Sequence, residues 1–201
     1  MLEVTNQAFL SAIFQDQAPL VHVSDFYEPP NDIPQHLRPI CWVGGAFSEY
    51  QMSPGSNQYF CISRFRRDST MPHRSLRRKN LFEACYCVVL DDVREKLDEQ
   101  QAAKLPAPSW ILETSPGSEQ WGYILEEPET RRERIDNLHD GLIKSDLAPD
   151  SKDPGMRGVT RFVRLPEGWN RKTKYLVPEN GHQGVKCQML EWHPDLSLIH
   201  I

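Results

Sequence analysis

The stretch Phe82 to Asp92, FEACYCVVLDD, decides the fold. Its apolar run CYCVVL is nearly continuous, the pattern of a strand in the middle of a sheet with both faces covered. The run stops abruptly at Asp91 and Asp92. Two adjacent carboxylates at the end of a buried strand are costly to desolvate unless they are paired or bind a cation. Hard divalent ions such as Mg²⁺ take oxygen ligands, usually one or two carboxylates plus substrate phosphates. Successive residues of a regular strand face opposite sides. A site using both acids therefore requires the chain to bend there, or one of them to act with another acid from elsewhere. A turn in which one Asp caps backbone groups is the other reading, and the pair alone leaves both open.

Outward from this strand, Phe9, Leu10, Ile13 and Phe14 recur at helical spacing behind Thr5, which predicts a capped N-terminal helix. Strands are expected at Pro19 to Val23, Ile40 to Val43 and Gln58 to Ser63. The proline-rich EPPNDIPQHLRP, Glu28 to Pro39, reads as an irregular loop. Downstream, a short helix is expected over Glu95 to Lys104. A hairpin follows, with strands Trp110 to Glu113 and Gln120 to Leu125 about the turn SPGS, where Pro presets one dihedral and Gly tolerates the next. Pro128 suits the first turn of a helix that continues over Arg131 to Lys144, with Ile135, Leu138, Leu142 and Ile143 as its stripe. Thr160 to Leu165 and Val185 to Trp192 complete the strands. The pattern predicts an α/β or α+β fold, a mixed or antiparallel sheet with flanking helices. SPGSNQYF (Ser53 to Phe60) and SPGSEQWG (Ser115 to Gly122) share S-P-G-S-x-Q-aromatic, which predicts two similar hairpin turns rather than a duplicated domain.

With 201 residues, 39% hydrophobic and 25% charged, the chain suits one soluble domain, expected over 1–195 with the apolar end SLIHI as a tail left by truncation over 196–201. No apolar run approaches the roughly 20 residues of a membrane span. The N-terminus lacks a basic region ahead of an apolar one, and five cysteines without a CxxC pair suit free thiols, so a bacterial host cytoplasm is expected. The net charge of −5 hides two cationic segments. Residues 64–79 carry seven Arg or Lys against Asp68, and residues 157–174 carry six against Glu167. An acidic chain that gathers its cations this way has a place for a polyphosphate or a nucleic-acid backbone. In the first segment Arg64, Arg66, Arg67, Arg74, Arg77, Arg78 and Lys79 are candidates to track a DNA template, with Phe65 to stack on a base; a solvated connector is the alternative. His182, Cys187 and His193 match no standard zinc spacing. Trp110, Trp121, Tyr123 and Trp192 are expected to pack in the core or on a sheet face.

Three blocks, CVVLDDV (Cys87 to Val93), WILETSPGSEQWGYIL (Trp110 to Leu125) and TRFVRLPEGWNRK (Thr160 to Lys172), resemble in order and spacing the signature blocks of the archaeo-eukaryotic primase superfamily. The resemblance is to its primase-polymerase branch of plasmid RepB-like and phage replication proteins. It covers roughly residues 80–175. It implies an RRM-like catalytic core and template-directed nucleotidyl transfer with two Mg²⁺ or Mn²⁺ ions and no organic cofactor. Implied partners are single-stranded or primed DNA, a ribo- or deoxyribonucleoside triphosphate and a helicase. By the same resemblance Asp91 and Asp92 bind metal, with Asp153 as third acid and Asp150 as its understudy. Ser115 and Gln120 hold the triphosphate, Gln120 standing where many members have His. Arg161, Arg164, Asn170 and Lys172 surround the triphosphate or template. Period two in TRFVRLP sets Arg161, Val163 and Leu165 on one face and Phe162 and Arg164 on the other, so the two arginines should serve different surfaces. Rival readings are a catalytically silent replication-initiation module that binds DNA and a metal-dependent nuclease using the same acids.

Overall fold

Helix α1 (Asn6–Phe14) opens the chain, and the Thr5 hydroxyl accepts a hydrogen bond from the Ala8 N–H at 3.1 Å, the cap its sequence predicts. The computed structural model describes residues 2–28, 44–71, 76–147, 158–181 and 183–198. Phe9, Leu10, Ile13 and Phe14 are all buried, each contributing roughly 1.5–3 kcal/mol relative to exposure. Phe9 meets Phe60 and Trp110 edge-on, with ring centroids 5.5 and 5.0 Å away. Those two partners belong to different sheets, so α1 ties the sheets together.

Four strands precede the central one: β1 (His22–Phe26), β2 (Gly44–Ala46), β3 (Asn57–Cys61) and β4 (Ser63–Phe65). Then come β5 (Phe82–Leu90), α2 (Val93–Lys96), α3 (Glu99–Ala102), β6 (Trp110–Ser115), β7 (Ser118–Glu129) and α4 (Arg132–Lys144). The chain ends through β8 (Phe162–Arg164), β9 (Trp169–Asn170), β10 (Val185–Lys186), β11 (Gln188–Trp192) and β12 (Ser197–Leu198). One sheet has the order β11-β6-β7-β5-β4, with β12 parallel to β7; the other has the order β2-β1-β3-β8, and β9 pairs with β10. Every pairing except that of β12 is antiparallel. The chain passes from one sheet to the other at Ile62, whose N–H donates to the Arg161 carbonyl while its own carbonyl accepts from the Tyr86 N–H.

The central strand is where the sequence places it. Helix α1 covers it through Phe14, whose ring lies 4.8 Å from that of Tyr86, and α4 packs on it with Ile135 and His139 fully buried. Other elements differ for local reasons. Pro19 cannot donate to a ladder, so Gln15–Leu20 form a 3₁₀ turn and the strand starts later, at His22. The single helix expected over 95–104 is two short ones, because Asp98 starts a new one with a capping box to Gln101. Pro128 lies in the tail of β7, not in the first turn of a helix. The β5–β7 register shifts between Cys85 and Cys87, and such an irregularity tolerates a residue without an N–H. The expected last strand breaks at Cys187, whose N–H turns to the Gly168 carbonyl. Ser197 and Leu198, expected in a tail outside the domain, pair with Ile124 and Leu125, so the sheet extends past residue 195. Ile40 to Val43 lies outside the described residues.

Candidate active site

The carboxylate doublet sits where β5 gives way to α2, and the chain bends there as a shared site requires. Asp92 adopts φ 55°, ψ 34°, a left-handed conformation that Asp tolerates better than most residues. Its N–H donates to Asp91 Oδ1 at 3.1 Å, which closes the turn. One helical turn on, Lys96 Nζ lies 2.7 Å from Asp92 Oδ2. Burial by itself would raise the Asp92 pKa. Hydrogen bonds from Lys96 and Ser118 and the charges of Lys96 and Lys172 outweigh it and hold the carboxyl below its usual value.

The hairpin β6–β7 supplies the next contact. Gly117 takes φ +76° and its N–H donates to Glu113 Oε1 at 3.0 Å, so the SPGS turn is tight and self-braced. That geometry presents Ser118 Oγ, which donates to Asp92 Oδ1 at 2.8 Å. Ser115 is buried and pairs with Ser118 across the ladder; the hydroxyl that reaches the doublet is that of Ser118. Gln120 Oε1 accepts from the Arg164 N–H at 3.2 Å and so joins the two sheets. Its amide N–H groups have no partner among the described residues.

The two arginines of the third block have different surroundings, as the period of two suggested. Arg161 is buried, donates to the Val89 carbonyl and brings its guanidinium to 3.7 Å from Asp91 Oδ2. Arg164 is also buried, but it donates to Asn57 Oδ1 and the Trp169 carbonyl and lies 4.9 Å above the Tyr59 ring, so its contacts brace the sheet that carries it. Asn170 donates to the Thr114 carbonyl at 2.9 Å and accepts from the Lys172 N–H at 3.3 Å. It fastens the segment after β9 to β6. The exposed Lys172 and Lys174 side chains both act on Asp92 through their charge.

The basic stretch 64–79 is largely committed to the protein itself. Arg64 pairs with Glu83 and Gln17, Arg67 with Glu49 at 2.6 Å, and Arg78 lies 3.6 Å from Asp68. Arg77 caps the Phe162 ring at 4.0 Å. Arg66 and Lys79 are exposed. Arg74, Asp150, Asp153 and His182 lie outside the described residues. Cys187 is buried, its thiol pushed up to about 11 by desolvation, and among the described residues no three His, Cys, Asp or Glu gather as a metal cluster. Trp110 and Tyr123 are core residues and Trp121 is buried beside them, as expected. A cleft of about 520 Å³ lined by Leu125, Pro128, Arg134 and Leu198 opens at the far end of β7 from the doublet, and the Glu129 carboxylate in it is paired with Arg131 and Arg134.

No family model and no curated protein matches the sequence. Among solved structures, the AEP domain of the cyanophage S-2L primase-polymerase superposes with a TM-score of 0.55 at 12% identity, over 96% of this chain and 91% of that one. The chain has a primase-polymerase fold. Two structures of primase RepB′, one of them its catalytic domain in complex with initiator DNA, give TM-scores of 0.48 and 0.45 at 17% and 16% identity. Each covers 94% of this chain, which spans 58% and 87% of theirs.

Within this primase-polymerase fold, Lys96 and Ser118 are the contacts that the residue-by-residue reading did not select. Both had a signal. Lys96 stands four residues after Asp92, one helical turn away. Ser118 closes a turn motif that the chain uses twice.

Proposed function

We propose that the chain is a template-directed nucleotidyltransferase, a DNA primase or polymerase of a plasmid or phage. It acts on single-stranded or primed DNA with a nucleoside triphosphate. The observation that carries this is the wall of cations around the doublet: Lys96 from α2, Arg161 ahead of β8, and Lys172 and Lys174 after β9. Such a site suits a polyanion brought to two carboxylates.

The donor set fits the implied metal. Asp91 and Asp92 offer hard oxygens at a bend that removes Asp92 from strand alternation, and Mg²⁺ or Mn²⁺ held by one or two carboxylates takes further ligands from phosphate. Asp91 and Asp92 are the proposed ligands, with Asp153 as the third acid. Bound there, two such ions stabilise the attacking 3′-oxygen and the leaving pyrophosphate. The protein's own part is positional and electrostatic. Arg161, anchored on Val89, holds Asp91. Lys172 and Lys174 offset the triphosphate charge, and Asn170 fixes their segment. Gln120 donates to phosphate without adding charge.

Incubation with a primed template, Mn²⁺ and labelled nucleotides tests the reading. Extension by the wild type that is lost in the Asp91→Asn, Asp92→Asn double variant is the expected result. Undiminished extension by that variant overturns the site assignment; shortening of the labelled strand points to a nuclease, and binding without either reaction to a silent DNA-binding module.

A further inference from the structure

All four oxygens of the doublet already have a polar partner. Asp92 Oδ1 accepts from Ser118, Asp92 Oδ2 pairs with Lys96 at 2.7 Å, Asp91 Oδ1 accepts from the Asp92 N–H, and Asp91 Oδ2 faces Arg161 at 3.7 Å. Three of these partners are fixed. Ser118 is set by the hairpin turn, the Asp92 N–H is backbone, and Arg161 is buried and tied to Val89. Lys96 differs. Its side chain is 35% exposed and reaches back along a single helical turn on four flexible methylenes. It is the partner that can leave.

We infer that Lys96 is a placeholder cation: it holds Asp92 Oδ2 until a divalent ion displaces it, and its released ammonium then pairs with the incoming triphosphate. This rests on the metal-dependent reading above. An ammonium and a divalent ion cannot share one oxygen without strong like-charge repulsion, which is greatest in a partly buried site. Metal binding therefore has to expel Lys96 from Oδ2. Once expelled, the ammonium lies beside a dication and is repelled unless an anion arrives, and the triphosphate is that anion. The exchange keeps the empty carboxylate neutralised and couples the two ligands, since each favours the other's bound arrangement. Lys96 is thus a positioning residue, and removing it affects the two ligands in opposite directions.

The test measures Mn²⁺ binding by electron paramagnetic resonance of the free ion at fixed pH and ionic strength. It compares the wild type with Lys96→Met, which keeps a stem of similar length, and with Lys96→Gln. Lys104→Met, at an exposed position off the site, controls for net charge. Both Lys96 variants should bind Mn²⁺ about tenfold more tightly, against less than twofold for the control. At saturating Mn²⁺ they should bind dATP about tenfold more weakly. Unchanged or weaker Mn²⁺ binding, while Asp92→Asn abolishes it, overturns the placeholder and leaves the metal site standing. Tighter Mn²⁺ with unchanged dATP overturns the hand-over. If Mn²⁺ binds neither the wild type nor any variant, or binds Asp92→Asn as well as wild type, the metal reading falls and the placeholder with it.

Discussion

The molecule makes the same turn twice and puts it to different uses. In Ser53 to Ser56 the glycine has φ +74° and Ser56 Oγ donates to Asp25 Oδ2 at 2.9 Å; in Ser115 to Ser118 the glycine has φ +76° and Ser118 Oγ donates to Asp92 Oδ1 at 2.8 Å. The difference lies in what else approaches the carboxylate. Asp25 also accepts from the Ser53 N–H at 2.7 Å and the Tyr50 hydroxyl at 2.6 Å, so three neutral donors bind it into the turn. Asp92 has one neutral side-chain donor and an exchangeable cation, with two more lysines in electrostatic reach. A saturated carboxylate is a brace, whereas one held by a removable cation is a binding site.

The sharpest way to break this comparison is to remove each acid in turn. Asp25→Ala leaves the Ser53 N–H and the Tyr50 hydroxyl without their acceptor, while the Ser56 hydroxyl keeps the Ser53 carbonyl at 2.7 Å, at a cost of about 2–3 kcal/mol. On a chain of this size that lowers the melting temperature by roughly 5–10 °C. Extension activity measured well below that temperature should stay within about twofold of wild type. Asp92→Asn should reverse the pattern, with a melting temperature near that of wild type and extension reduced on the order of 100-fold or more, the scale seen when one stabiliser of developing charge is removed. If both variants lose activity while folded, or both lose only stability, the two turns are not functionally distinct.

The two regions should also differ in their response to acid. His22 shares β1 with Asp25, and burial, helped by the charge of Arg77, pushes its pKa down to about 4. A folded-state pKa below that of the unfolded chain means that the unfolded state binds the proton more readily between pH 6.5 and 4. Stability should therefore fall as the pH is lowered through that window, by up to about 3 kcal/mol. Asp92, whose carboxyl is held below its usual value, keeps its contribution there and loses it only at more acidic pH. Urea titrations of the wild type and His22→Gln at pH 7 and pH 5 check this. The variant should lose less stability between the two than the wild type, and equal losses would remove His22 as the cause.

The parts of this comparison that were legible in the sequence were those encoded by local pattern. The apolar run ending in Asp91 and Asp92 gave both the central strand and the doublet, and Thr5 gave its helix. The paired SPGS segments were visible as turns, but only the second is the expected hairpin, since β3 pairs with β1 and β8 and not with the strand before it. Which carboxylate each turn would meet was not visible, because Ser56 to Asp25 spans 31 residues and Ser118 to Asp92 spans 26. Composition alone gathered the arginines of 64–79 into one basic patch. The fold distributes Arg64 and Arg67 to Glu83 and Glu49, which lie on other segments, and sends Arg77 over Phe162. Period two separated Arg164 from Arg161 in the sequence but did not show its partners, Asn57 and Trp169, which reach it only through sheet pairing and the turn that follows.

The smallest effect separates the turns most finely. Gly55→Ala and Gly117→Ala place a Cβ in open space, with nothing within 4 Å in either case, so the only penalty is the left-handed backbone. That strain is about 1 kcal/mol each, or roughly 2–4 °C in melting temperature. Two variants of matched stability then differ only in what their turns carry. Relaxation of the Gly117 backbone shifts Ser118 relative to Asp92, and a site that depends on that hydroxyl should lose extension several-fold. The equivalent relaxation at Gly55 moves Ser56 against a carboxylate held by two further donors and should leave extension unchanged. Equal activity in the two variants would mean that Ser118 merely braces its turn, as Ser56 does, and that the likeness of the turns extends to their roles.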